Sequence, residues 1–244
     1  MNNFFENWRR TLKEAAAPCD GSVVIFMSGA PGSGKSTVIN ALPKNFPVIN
    51  PDVEFEAALA NAGISANMQG MSDRRKELRA ALEEGEPTPE RKEEIEQEIN
   101  KINSDFSTAM KLMYQANHNV EQRISNSIKD PKCLDFLVDG TGASPAKMEL
   151  RVNALKDRGY KVGLIFVDSD QEAAVQRNLD RSKKGGRSLP TKIVISTHEK
   201  VRANKELYSK MFGDNFIYLN NTGTPKDLSD ATRAILKDHP LFKI

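Results

Sequence analysis

The chain has 244 residues, 39% of them hydrophobic and 28% charged, and Lys+Arg 35 against Asp+Glu 33 leaves a net charge of +2. A chain of this length and composition can bury a core without metals or disulfides. The near balance of charge neither requires nor excludes a nucleic-acid partner. No apolar run approaches the ~20 residues of a membrane span, so no membrane partner is expected.

At the start, Phe4, Phe5, Trp8 and Leu12 fall at helical spacing. They predict an amphipathic helix within residues 1–17 that packs on the main domain. The two cysteines, Cys19 and Cys133, form no CxxC pattern, and the three histidines have no ligand spacing. We read the cysteines as unpaired thiols in a reducing cytoplasm.

Short apolar runs recur along the chain: Val23 to Met27, Pro47 to Ile49, Phe136 to Val138, Val162 to Val167 and Phe216 to Leu219. Strands apolar on both faces belong to parallel sheets whose crossovers are helical. The expected fold is α/β, a single domain over residues 1–244 with about five parallel strands covered by helices.

Between the first and second runs lies Gly29-Ala30-Pro31-Gly32-Ser33-Gly34-Lys35-Ser36. It matches GxxxxGK[ST] at every fixed position, follows a predicted strand and opens a helical stretch from Thr37 to Leu42. Glycines let a backbone curl its N–H groups around a phosphate. Lys35 then supplies charge to the β- and γ-phosphates, and Ser36 can ligate Mg²⁺. Residues 29–37 are therefore the candidate nucleotide site, for ATP or another nucleoside triphosphate with Mg²⁺.

The second strand runs into Asn50-Pro51-Asp52. Carboxyl ends of parallel strands face the ligand. Asp52 is the candidate base that takes a proton from an acceptor hydroxyl. It is also a candidate helix N-cap. From about Glu54 to Asp130 no strand signal appears, and residues 54–130 are expected to form a helical insertion. Ser72 is expected to cap a helix carrying Leu78 and Leu82 and ending at Gly85. Thr88-Pro89-Glu90 reads as N-cap, first-turn proline and acid. Ile95, Ile99, Ile102, Phe106, Met110 and Met113 form one stripe on the long helix that follows. The charged stretch from Glu83 to Glu98 reads as a solvated hairpin arm, or as a clamp, a lid or an oligomer contact.

After the third strand come Asp139-Gly140-Thr141-Gly142. Asp139 can hold Mg²⁺ with Ser36, or Asp139 and Thr141 can hold the acceptor, or the segment is a structural turn. Arg177 and Arg181, spaced i, i+4 on a helix, precede the basic glycine-hinged loop 181–191 that contains Arg187. Such a loop can close over a triphosphate and bring an arginine to the transferring group.

The series GAPGSGKS, VINPD, LVDGTG and VDSDQEAAVQRNLDRSKKGGRSLP resembles the kinase domain of phage-type polynucleotide 5′-kinases and, more broadly, the zeta-toxin-like P-loop kinases. The resemblance implies an adenylate-kinase-like sheet, ATP with Mg²⁺, a carboxylate base at Asp52 and an acceptor-side acid at Asp139. It also implies triphosphate contacts from Arg177 or Arg181 and the lid. Where polynucleotide kinases carry an arginine after the catalytic Asp, this chain has Val53-Glu54-Phe55-Glu56. The expected activity is γ-phosphate transfer to a hydroxyl of a nucleic acid (DNA or RNA) or a nucleotide-like acceptor. The alternatives are a nucleotide-sugar or small-metabolite kinase and an ATP-dependent assembly protein.

Overall fold

The structure is a computed structural model that describes residues 18–243; the helix expected at 1–17 lies outside them. The described chain forms two compact units. One comprises residues up to 50, 120–174 and 196 onward; the other comprises 51–119 and 175–195.

The first unit is built on five parallel strands: β1 (Val23–Ser28), β2 (Val48–Ile49), β3 (Phe136–Val138), β4 (Lys161–Ser169) and β5 (Phe216–Asn221). Their order is β2-β3-β1-β4-β5. Every residue of β1 is buried. That explains a run such as Val-Val-Ile-Phe-Met, because a central strand covered on both faces has no polar side. Fully burying each such side chain stabilises by about 1.5–3 kcal/mol.

Two apolar layers cover the sheet. On one face Phe26, Val138, Phe166 and Val152 pack with Val120, Ile124 and Ile128, and with Tyr208 and Phe212. The helices involved are the end of α4 (Pro89–Lys129), then α5 (Pro145–Asp157) and α8 (Lys205–Phe212). On the other face Ile25, Met27, Leu137 and Ile165 meet Val38 of α1 (Lys35–Asn40) and Leu228 and Leu236 of α9 (Pro225–Leu236). Both ends of the sheet order were legible as short apolar runs; β4 and β5 each extend two residues beyond the expected ends, into Asp168-Ser169 and Asn220-Asn221.

Cys19 and Cys133 are joined by a disulfide, which corrects the expectation of unpaired thiols. The parallel pairing of β1 with β3 sets Val24 opposite Phe136. Each cysteine lies a few residues before its strand, so their Cα atoms come within 5.2 Å despite a sequence separation of 114. With the thiols paired, the ground for a reducing compartment falls away.

The second unit is mostly helical. It holds α2 (Pro51–Asn61), α3 (Met68–Glu84) and α4 as far as Asn119. It also holds most of α6 (Gln171–Lys183), the loop after it and the start of α7 (Thr191–Ala203). Helix α3 begins earlier than expected. Asn67, not Ser72, caps it, accepting from the Gly70 N–H at 2.9 Å, and Ser72 lies buried inside the helix. The Thr88 cap is present, accepting from Arg91 N–H at 3.3 Å. Antiparallel packing of α3 on α4 buries Leu78, Ile95 and Ile102, with Leu82, Ile99 and Phe106 at the edge. Arg74 meets Glu98 at 2.8 Å on the exposed side. Met110 departs from the expected stripe and is exposed, while Ala109 takes the buried position. The alternation of four and three steps runs 102, 106, 109, 113, 116, and Met110 falls one residue off it.

Candidate functional site

In the first unit, β1 ends at Ser28 and the chain turns through Gly29–Gly34 into α1. The curl depends on glycine at two positions with positive φ, Gly32 at +83° and Gly34 at +102°. A Cβ at Gly32 would lie 2.5 Å from the Ala174 carbonyl oxygen, and one at Gly34 would lie 2.6 Å from the Asn221 side chain. The cradle therefore has no room for a side chain on its inner wall. Lys35 Nζ donates to the Gly29 carbonyl at 2.8 Å and to that of Ala30 at 3.4 Å. Its charge is held over the loop that the sequence marks as phosphate-binding. Ser36 is exposed at the head of α1, followed by Thr37, whose N–H donates to the Gly34 carbonyl.

Neighbouring strand ends brace this loop. The Thr141 carbonyl accepts from Gly29 N–H at 3.1 Å and from Ser28 Oγ at 3.0 Å. Gly142, at φ +70°, presents its carbonyl to Asn204 Nδ2 at 3.0 Å and to the Tyr208 hydroxyl at 2.7 Å. Burial pushes the Tyr208 phenol up to about 12, so it stays a donor at any ordinary pH. Asp139 is buried and accepts from Asn50 Nδ2 at 3.0 Å. The Asn221 amide donates to the Ser33 carbonyl at 2.7 Å. The structure thus gathers Gly29–Thr37, Asp139 and Thr141 into one unit and adds Asn50 and Asn221. Asparagines at strand ends carry no motif, so the sequence alone did not single them out.

A further polar cluster lies at the carboxyl end of β4. Buried Asp168 accepts from the Tyr218 hydroxyl at 3.0 Å and faces Arg202 at 3.5 Å. His198 is buried, with Nε2 2.8 Å from the Ser169 carbonyl. These residues line a small depression with Ala30 and Ser33 of the loop. Among the described residues no group of three or more His, Cys, Asp or Glu side chains could hold a metal ion by itself. Glycine cradle, lysine and Ser36 hydroxyl nonetheless suit a triphosphate whose own oxygens complete a Mg²⁺ shell.

In the second unit, Asp52 occupies the first turn of α2. It is not the N-cap, because Pro51 already fills the first helical position. Arg187 reaches it from the loop after α6: Nη1 lies 2.7 Å from Asp52 Oδ1 and Nε lies 2.8 Å from Glu56 Oε1. Glu54 accepts from Asn119 at 3.0 Å. The loop is pinned on the far side of Arg187, where Ser188 Oγ donates to Asn67 at 2.6 Å and Leu189 exchanges two hydrogen bonds with Asn178. Arg177 is half-buried and Arg181 exposed on α6. Glu56 was passed over in the sequence as one of two unexplained acids, and its arginine partner lies 131 positions away.

The model of a family described as an AAA domain matches residues 24–206. No curated protein sequence matches the chain. Among solved structures, a candidate kinase from Chloroflexus aurantiacus is similar over 90% of this chain and 98% of its own, at 13% identity and a TM-score of 0.54. Two others score lower. Shikimate kinase from Acinetobacter baumannii, solved with shikimate, is 17% identical, covering 91% and 97%, with a TM-score of 0.39. A structure of the PezAT toxin–antitoxin system of Streptococcus pneumoniae is 12% identical, covering 98% and 93%, with a TM-score of 0.46. At these identities the likeness bears on the fold alone, and only the first score is high enough to carry it.

Proposed function

The chain belongs to the AAA domain family, with a kinase-like P-loop fold, and from that premise we propose that it transfers the γ-phosphate of ATP to a hydroxyl group. The observation that carries the proposal is the loop from Gly29 to Ser36, with Lys35 held over it and no room for a Cβ at Gly32 or Gly34. In this reading residues 29–37 hold the triphosphate through backbone N–H groups, and Lys35 neutralises the transferring group. Ser36 and Asp139 would hold Mg²⁺, which supplies charge neutralisation at the phosphates when bound. Asp52 orients the acceptor hydroxyl and takes its proton. Arg177, Arg181 and Arg187 serve the triphosphate from α6 and the lid, where a guanidinium fork suits phosphate oxygens.

The leading acceptor is a nucleic acid or a nucleotide-like molecule, which the motif series VINPD, LVDGTG and QRN supports. A second reading, a small uncharged hydroxyl compound such as a sugar, is favoured by one observation. Asp52, Glu54 and Glu56 sit together in the first turns of α2, and Arg187 pairs with Asp52 and Glu56. Surplus carboxylate repels a phosphate backbone. Substituting Asp52→Asn tests the base. Binding of Mg·ATP, read by titration calorimetry, should persist while label transfer from γ-labelled ATP falls by at least about 10²-fold. Turnover at the wild-type rate would remove Asp52 from the chemistry.

A further inference from the structure

Arg202 belongs to the same compact unit as the phosphate loop and sits on the last turn of α7. The helix is anchored on both sides of it. His198, four residues earlier on the same helix face, is buried with Nε2 2.8 Å from the Ser169 carbonyl. Asn204, two residues later, donates to the Gly142 carbonyl at 3.0 Å. One anchor closes β4 and the other follows β3, the two strands that flank β1.

Asp168 fixes the side chain. This buried carboxylate accepts at Oδ2 from the Tyr218 hydroxyl at 3.0 Å and at Oδ1 from the Ser169 N–H at 2.9 Å. Arg202 Nε lies 3.5 Å from Oδ1, and the arginine side chain stays 55% exposed. A contact of that length at one edge of the fork leaves its terminal nitrogens for another partner.

We propose that Arg202 contacts the terminal phosphate of ATP and makes the site prefer a triphosphate to a diphosphate. The inference rests on the proposed phosphotransfer and adds to it a residue of the first unit itself. Lys35 marks the end of the loop that takes this phosphate. Its Nζ lies against the carbonyls of Gly29 and Ala30, and the lysine of this motif serves the β- and γ-phosphates. Ala30 and Ser33 line the same depression as Asp168, His198 and Arg202. A guanidinium at that end suits the non-bridging oxygens of a γ-phosphate, which a fork meets with paired donors. The β-phosphate is served by the N–H groups of the loop, so ADP keeps its contacts without Arg202. Asp168 is a positioning residue that acts through Arg202, and the Tyr218 hydroxyl holds Asp168 in turn.

The test is calorimetric titration of the full chain with Mg·ATP and, separately, with Mg·ADP. Arg202→Gln removes the charge and keeps much of the length. Its affinity for Mg·ATP should fall at least about 10-fold, the low end for a hydrogen bond to a charged group, while that for Mg·ADP stays within about 2-fold of wild type. Arg202→Lys keeps a charge beside Asp168 but not the fork. Its affinity for Mg·ATP should fall between the two, again with Mg·ADP unmoved. An arginine that only balances the buried Asp168 would move both nucleotides alike or neither. Equal losses for the two nucleotides, or an unchanged Mg·ATP affinity in Arg202→Gln, overturn the proposal. Should Arg202→Gln fail to fold, Arg202→Lys decides: an ATP-to-ADP affinity ratio equal to that of wild type overturns it. These outcomes leave the phosphotransfer reading standing, whereas failure of the wild type to bind Mg·ATP would remove that reading and the role of Arg202 with it.

Discussion

The Asn221 side-chain amide donates to the Ser33 carbonyl at 2.7 Å, joining the end of β5 to the middle of the phosphate loop. The two residues are 188 positions apart, and the bond is buried. A loop that must present its N–H groups inward has to anchor its carbonyls elsewhere. Asn221 supplies one such anchor, and Thr141 fixes Gly29 from the other side.

Removing that anchor should loosen the loop without unfolding the sheet. Asn221→Ala forfeits one hydrogen bond, worth about 0.5–1.5 kcal/mol. Affinity for Mg·ATP should fall by about 2- to 12-fold in a calorimetric titration. An unchanged affinity would show that the loop keeps its shape without the β5 end.

Glycine at position 32 should tolerate no replacement. A Cβ there would meet the Ala174 carbonyl at 2.5 Å, and φ is +83°. Gly32→Ala should abolish measurable ATP binding and lower stability by about 1–2 kcal/mol. Gly140→Ala is the control, since nothing lies within 4 Å of a Cβ there. Its stability should stay within about 0.5 kcal/mol of wild type in denaturant titrations.

Stability should depend on acid pH through Glu121. Burial alone would raise its carboxyl, but Arg151 and then Lys147 outweigh that and hold it below its ordinary value. Arg151 pairs with it through two nitrogens, and Lys147 lies 2.5 Å away. A lowered folded value means the contribution is present above the unfolded value of about 4.3 and is lost as pH falls through the folded one. Arg151→Leu should therefore cost about 1–3 kcal/mol at pH 7, between the worth of exposed and buried pairs. The gap from wild type should narrow as pH falls below about 4.3. A gap independent of pH would assign the loss to packing alone.

Reducing the disulfide should destabilise the first unit. It links residues with a sequence separation of 114, and freeing a loop of that size costs up to about 5 kcal/mol. The double variant Cys19→Ser, Cys133→Ser should melt several degrees lower than wild type, and dithiothreitol should lower the wild type alone. No shift on reduction would mean that the bridge constrains nothing the unfolded chain explores.

The sheet was legible because its strands are short, apolar on both faces and set between turns. The phosphate loop was legible because its chemistry is local: eight consecutive residues must be what they are. The disulfide was not, since Cys19 and Cys133 meet only through the register of β1 and β3. Glu56 was not, because its meaning depends on Arg187, which the chain brings round from the far side of α6. Ser72 gave a false start to α3 because serine is a good cap anywhere, while Asn67 held the position that Gly70 N–H requires. Residues whose role rests on near neighbours in sequence can be read from sequence; those whose role rests on a distant partner need the fold.

The most direct test of the central claim is transfer of label from γ-labelled ATP with Mg²⁺. The panel comprises 5′-hydroxyl oligonucleotides, DNA bearing hydroxymethylated bases, nucleosides, nucleotide-sugars and simple sugars, with Lys35→Ala as control. The account predicts label on one acceptor class with the wild type and none with the control. Label on no acceptor, from a protein that binds ATP, would contradict phosphotransfer and leave a nucleotide-dependent binding protein in its place.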